Sequence, residues 1–167
     1  MKIALFDAGR LALLPAVLVG CLLMAAAPVH ASLGGDGNSI ASDAAAMQAS
    51  TAPVAESNLS QTSSSYSVTK FVTPTGTTVR EYTRPDGTVF GVGWQGHRPP
   101  DLSILLGSYY SEYTSAAALK STRPMHRSIT RGANAIVMMG GRMGHVSGRA
   151  YVPGLAPAGV DPNAVVK

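Results

Sequence analysis

Read only for the spacing of apolar and polar positions, the chain changes character twice. Residues 11–27, LALLPAVLVGCLLMAAA, form one apolar run without a charge. Residues 32–65 show almost no period. From Tyr66 onward, apolar and polar positions alternate in three short runs, YSVTKFVT, TTVREYT and TVFGVGW. Pro74-Thr75-Gly76 and Arg84-Pro85-Asp86-Gly87 stand between them. There proline presets the turn dihedral, aspartate bonds its own backbone and glycine accepts a positive φ. Three β runs joined by two short turns predict a three-stranded antiparallel meander.

A helical period follows. His97-Arg98-Pro99-Pro100 ends the alternation, and Asp101 is placed to cap a helix. Leu102, Leu105, Leu106, Tyr109 and Tyr113 then recur at steps of three and four, forming one apolar stripe. That helix is expected to cover a sheet face carrying Phe90, Val92 and Trp94. Residues 135–139 and 143–152 flank Gly140-Gly141-Arg142 and predict a C-terminal hairpin with Arg142 in its turn. The fold class is therefore α+β: a small antiparallel sheet of about five strands, meander plus C-terminal hairpin, with one helix packed on a face.

Composition sets the domain plan. Residues 32–65 are mainly Ala, Ser, Thr, Gly and Asp, too poor in large apolar groups to offset the entropy of ordering. A flexible N-terminal region is expected there. One or two helical turns are predicted over residues 38–47, where Ile40, Ala44 and Met47 share a face, and a linker over residues 61–65. The plan is a leader over 1–31, a mostly flexible segment over 32–65, a small α+β domain over 66–160 and a C-terminal tail over 161–167.

The leader decides compartment. Lys2 and Arg10 give it a positive start, and Val29-His30-Ala31 offers compact residues at its exit. This is the pattern of a secretory signal peptide cut after Ala31. Leu18-Val19-Gly20-Cys21 also resembles a lipobox, which makes Cys21 a candidate lipidation site. The apolar run is also near the lower limit for a bilayer span, so an uncleaved anchor competes. The run continues for six residues past Cys21, whereas a lipoprotein turns polar at once because its acyl chains already supply membrane affinity. Cleavage is favoured. The expected product is exported, periplasmic or secreted, and without cysteine, so no disulfide supports it. Membrane attachment is expected only if Cys21 is acylated or the leader is retained.

TVREYTRPDGTVFGVGWQG, then PDLSILLGSYYSEY and later SGRAYVP, resemble an uncharacterised family of exported proteobacterial proteins, domain-of-unknown-function family 2844. The resemblance runs from Leu33-Gly34-Gly35 to about residue 160. It implies export and a single small domain; it brings no activity, cofactor or functional residue.

Candidate chemistry is thin. Gly91-Val92-Gly93-Trp94-Gln95-Gly96 fits G-x-G-x-x-G, but His97-Arg98-Pro99-Pro100 follows where a dinucleotide fingerprint must open a helix. His145 and Ser147 lie two apart in GHVSG, on one face of a strand, without the strained elbow of a hydrolase and without an acid near in sequence to orient the histidine. Met125-His126, Met138-Met139, Met143 and His145 offer soft metal ligands, yet no close histidine pair completes a site. No catalytic residue, metal ligand or cofactor is assigned, and an enzyme is not expected.

Charge changes the picture most. The net charge is +4. Residues 32–65 carry only Asp36, Asp43 and Glu56, while residues 113–160 contain no acid and accumulate Lys120, Arg123, Arg127, Arg131, Arg142 and Arg149. Guanidinium forks suit phosphate and carboxylate groups. A non-enzymatic domain that binds a partner is expected, and its sharper form is recognition of an anionic envelope component through Arg123, Arg127, Arg131, Arg142 and Arg149. That component is a lipopolysaccharide, an anionic lipid or an acidic polysaccharide. Nucleic acid is not expected for an exported chain.

Overall fold

A computed structural model describes residues 33–50, 52–55, 65–119 and 127–167. The leader with Cys21, the linker at residues 61–64, and Lys120, Arg123, Met125 and His126 lie outside the described residues.

The expected meander forms as β2 (Ser67–Val72), β3 (Thr78–Thr83) and β4 (Val89–Gly96). Asp86 works in its second turn as anticipated: its carboxylate accepts from the Thr88 amide at 2.9 Å and pairs with Arg84 at 3.0 Å. Four further strands join, so the sheet has seven strands rather than about five. A two-residue β1 (Val54–Ala55) pairs with β2. β5 (Arg127–Arg131), β6 (Ile136–Arg142) and β7 (His145–Tyr151) complete an all-antiparallel order β1-β2-β3-β4-β7-β6-β5. The C-terminal hairpin turns at Met143–Gly144, with Gly144 at φ 77°, so Arg142 ends a strand instead of sitting in the turn.

The predicted helix breaks in two. Asp101 caps α2 (Leu102–Leu106) by accepting from the Ser103 amide at 2.8 Å. Gly107, at φ 49° and ψ −121°, then ends it, and after a 3₁₀ turn α3 (Tyr110–Ala118) resumes. The stripe survives the break. Leu105 and Leu106 are fully buried, and Leu102, Tyr109 and Tyr113 pack on the same core.

That core lies on one face of the sheet, around Phe71, Val79, Val92, Trp94, Val137 and Ala150. Trp94 stands directly across from Gly148, whose missing side chain leaves room for the indole. Phe90 does not share this face. A β-bulge shifts the β3–β4 register between Tyr82 and Thr83, which turns Phe90 to the other side of the sheet. There it packs edge-on against Tyr66 and Tyr82, with ring centroids 5.9 and 6.2 Å away.

The segment that composition alone leaves loose and the C-terminal tail are both part of the fold over their described residues. Leu33, Ile40, Ala44 and Met47 are buried in the core, the last three from the predicted helical face of α1 (Ile40–Ala46). Backbone bonds fix this stretch: Gly34 donates to the Val89 carbonyl at 2.8 Å and Val89 returns a bond to Gly35 at 3.0 Å. Four well-spaced apolar groups and a borrowed strand edge supply what mean composition lacks. At the other end, Asp161 caps a short α4 (Pro162–Val165), and Val166 is fully buried against Val68, Tyr82, Phe90 and Tyr151. The tail lies across the bare backbone of Gly91 and Gly93, where a Cβ would collide with Val166 and Lys167.

One feature of the core is costly. Glu81 and Asp43 are both completely buried, and among the described residues neither Glu81 oxygen has a hydrogen-bond partner. Burial, reinforced by the Asp43 carboxyl, holds the Glu81 pKa well above the usual carboxylate range. A carboxyl whose pKa rises on folding contributes its full stability below the unfolded value and loses it as pH climbs toward the folded one. Glu81→Gln is therefore expected to match the parent near pH 4 and to be the more stable protein at pH 8, where the parent must hold a buried proton that its unfolded state has lost. Urea denaturation at the two pH values measures the difference, and equal gains at both would contradict the assignment.

Candidate functional site

In an antiparallel ladder, directly paired residues project to the same face, and the face alternates along each strand. Applied to the observed register, this rule sorts the charges cleanly. Lys70 pairs with Arg80, Arg80 with Gly93, and Gly93 with Arg149. Arg149 pairs with Met138, and Met138 with Ile129. The next row runs Thr78, Gln95, Ser147, Gly140 and Arg127. Arg142 pairs with His145 beyond it, while Ile136 pairs with Tyr151 and Arg131 on the opposite side. Every lysine and arginine in the seven strands thus points away from the tryptophan core. The one acid in a strand, Glu81, points into that core.

The rows also explain the relief of this face. Rows two residues apart are about 7 Å distant, and neighbouring strands about 4.8 Å. Ser147 and Gly140 contribute almost no side chain between Gln95 and Arg127, so the sheet is depressed there. The result is an open cavity of about 500 Å³ lined by Gln95, Arg127, Ile129, Met138, Ser147 and Arg149, among others. A smaller hollow of about 280 Å³ adjoins it across Gln95 and is lined by Thr78, Arg80, His97 and His145. His97 Nδ1 lies 2.8 Å from the Gly144 carbonyl, which ties the β6–β7 turn to the end of β4. Gln95 Nε2 and His145 Nε2 approach to 3.5 Å.

The candidate arginines separate into two kinds. Arg127, Arg131 and Arg142 are exposed on this face. Arg127 and Arg131 share it because they are four apart on the strand β5. Arg149 is different. Its guanidinium donates to the Asn163 carbonyl at 2.8 Å, the Val166 carbonyl at 3.2 Å and Asn163 Oδ1 at 3.1 Å. It holds the C-terminal segment on the sheet and is committed to that task. Arg123 lies outside the described residues.

Residues that sequence reasoning did not single out complete the surface: Lys70, Arg80, Gln95 and His97. Their signal was present only as strand parity, which needs the register of non-adjacent strands to be read. Among the described residues, acids outside the strands are engaged locally. Asp161 and Asp101 accept from amides at helix starts. Glu112 accepts from the Asn134 and Ala135 amides at 2.6 and 3.0 Å, holding the β5–β6 turn against α3. Burial opposes ionisation of Glu112, but these N–H groups outweigh it and keep its pKa below the usual range.

No catalytic constellation converges on His145 and Ser147. They are neighbours two apart on β7, and no aspartate or glutamate appears among the described residues lining either hollow. Met138 and Met139 pack against opposite faces of the sheet. Among the described residues no group of three His, Cys, Asp or Glu side chains could hold a metal ion. Gly91–Gly96 lies wholly within β4, a central strand, so its glycines serve close packing, most plainly under the C-terminal segment.

No curated protein and no solved structure matches the chain. A family model described as protein of unknown function (DUF2844) matches residues 29–165, and the chain belongs to that family.

Proposed function

We propose that this chain is a non-enzymatic binding domain that recognises an anionic component of the cell envelope through the open face of its sheet. One observation carries the reading. All lysines and arginines of the strands share a face, and that face holds no carboxylate from any strand. Self-repulsion among Arg127, Arg142 and their neighbours opposes folding slightly, and an anionic ligand relieves it. Guanidinium groups with exposed, unshared donors fit phosphate, sulfate or carboxylate oxygens in bidentate fashion. The adjoining hollows add an amide and hydroxyls as neutral donors.

The leader expected from residues 1–31 accords with this reading, because an exported chain meets the phosphorylated and acidic glycolipids of the envelope. The test is binding of the purified domain to inorganic polyphosphate and to lipopolysaccharide at rising ionic strength. The reading expects affinity that falls steeply with salt, as contacts with phosphate release counterions. No binding at low salt sinks it.

A further inference from the structure

We infer that the anionic ligand is carried by a lipid surface, and that the β6–β7 hairpin enters its interface. This deepens the proposed anion recognition and rests on it. The hairpin turn presents Met143 with its side chain fully in solvent, at 102% relative exposure. Arg142 precedes it and His145 follows its glycine, so a guanidinium and an imidazole stand at the base of the apolar tip. The tip is not a loose end, because the contact between His97 and the Gly144 carbonyl fixes its angle to the sheet.

A second exposed apolar group lies on the face that carries the arginines. Ile129 is 44% exposed and, beside Met138, forms one wall of the larger hollow, while Arg127 lines it in the adjoining row. Along this half of the sheet the order is therefore apolar tip, cations, apolar wall. A soluble acidic polymer has no use for the apolar ends. An anionic bilayer matches both parts: headgroup phosphates meet the arginines, and methionine and isoleucine enter the acyl boundary. Interfacial binding depends on this sum of buried apolar area and attraction to anionic lipid. Peripheral docking of this kind needs neither an acylated cysteine nor a retained leader.

The experiment compares the parent with Met143→Ser on three probes: phosphatidylcholine vesicles, the same vesicles containing phosphatidylglycerol, and soluble inorganic polyphosphate. The parent is expected to sediment with the anionic vesicles, not with the neutral ones, and to bind polyphosphate. Met143→Ser is expected to lose roughly five- to tenfold in vesicle affinity, since a large apolar group no longer leaves water, while its polyphosphate affinity stays unchanged. Ile129→Ser gives the same split from the other apolar site if the turn variant folds poorly. Polyphosphate binding without vesicle binding overturns the lipid inference and leaves anion recognition standing. So does vesicle binding that ignores both substitutions, or that falls in parallel with polyphosphate. Failure of the parent on all three probes removes both.

Discussion

Replacing Arg127 and Arg142 together by glutamate is expected to weaken binding of polyphosphate or anionic vesicles by two to three orders of magnitude at low salt. A cation near an anionic surface contributes about 1 kcal/mol. Reversal removes that attraction and adds a comparable repulsion, so two sites give about 4 kcal/mol before screening. The folded state is not expected to notice. Both side chains are exposed, and among the described residues neither makes a side-chain hydrogen bond or ion pair, so the melting temperature is expected to move by no more than about 2 °C. Arg84→Gln is the control. Its guanidinium is held by Asp86 at the β3–β4 turn, away from the open face, and its loss is expected to leave ligand affinity intact. Isothermal titration with polyphosphate measures all three proteins. The double reversal changes the charge by four units and Arg84→Gln by one, so free-energy losses in that same proportion would mean that net charge, rather than the face, attracts the ligand.

The largest effect on stability is expected from Gly148→Val. A Cβ at residue 148 lies within the space of the Trp94 indole, and Trp94 is 1% exposed in the centre of the core. The ring has nowhere to move, because Val92, Val137 and Ala150 surround it on the same face. Overpacking of this kind costs about 3 kcal/mol, which lowers the melting temperature by at least about 10 °C in a domain of this size. Gly154→Ala provides the contrast: nothing lies within 4 Å of a Cβ there, and a change below about 0.5 kcal/mol is expected. Thermal unfolding followed by circular dichroism compares the two. A Gly148 variant as stable as the parent would mean that Trp94 does not pack across that glycine.

These two substitutions also mark what the sequence could and could not disclose. The meander was legible because its signals are local: alternating residues and Pro-Gly turns lie within a few positions of each other. The stripe from Leu102 to Tyr113 was legible for the same reason, although Gly107 divides it. Phe90 was misplaced because a bulge adds one residue to a strand and inverts the face of everything beyond it, without a mark in the alternation. The N-terminal segment was underestimated because burial of Leu33, Ile40, Ala44 and Met47 depends on a sheet built from residues later in the chain. The tail from residue 161 was missed likewise, since its hold on the sheet is Arg149 reaching to Asn163 and Val166.

The candidate site was half visible. An acid-free basic stretch could be read directly, and it drew attention to Arg127, Arg131 and Arg142. That the stretch forms one face with Lys70 and Arg80, from strands far earlier in sequence, follows only once β7 is known to sit between β4 and β6. Arg149 could not be told from the others by composition. Its tie to the tail is a matter of three carbonyl and amide oxygens brought to it by tertiary structure.

The account turns on which face of the sheet meets the ligand. Titrating the isotopically labelled domain with polyphosphate and following its backbone amides by NMR answers this residue by residue. Shifts concentrated at Gln95, Arg127, Gly140, Arg142, His145 and Ser147, and diminished by added salt, are the predicted result. Shifts centred on α1 or α3 and the loops beside them, with the open face silent, would contradict it.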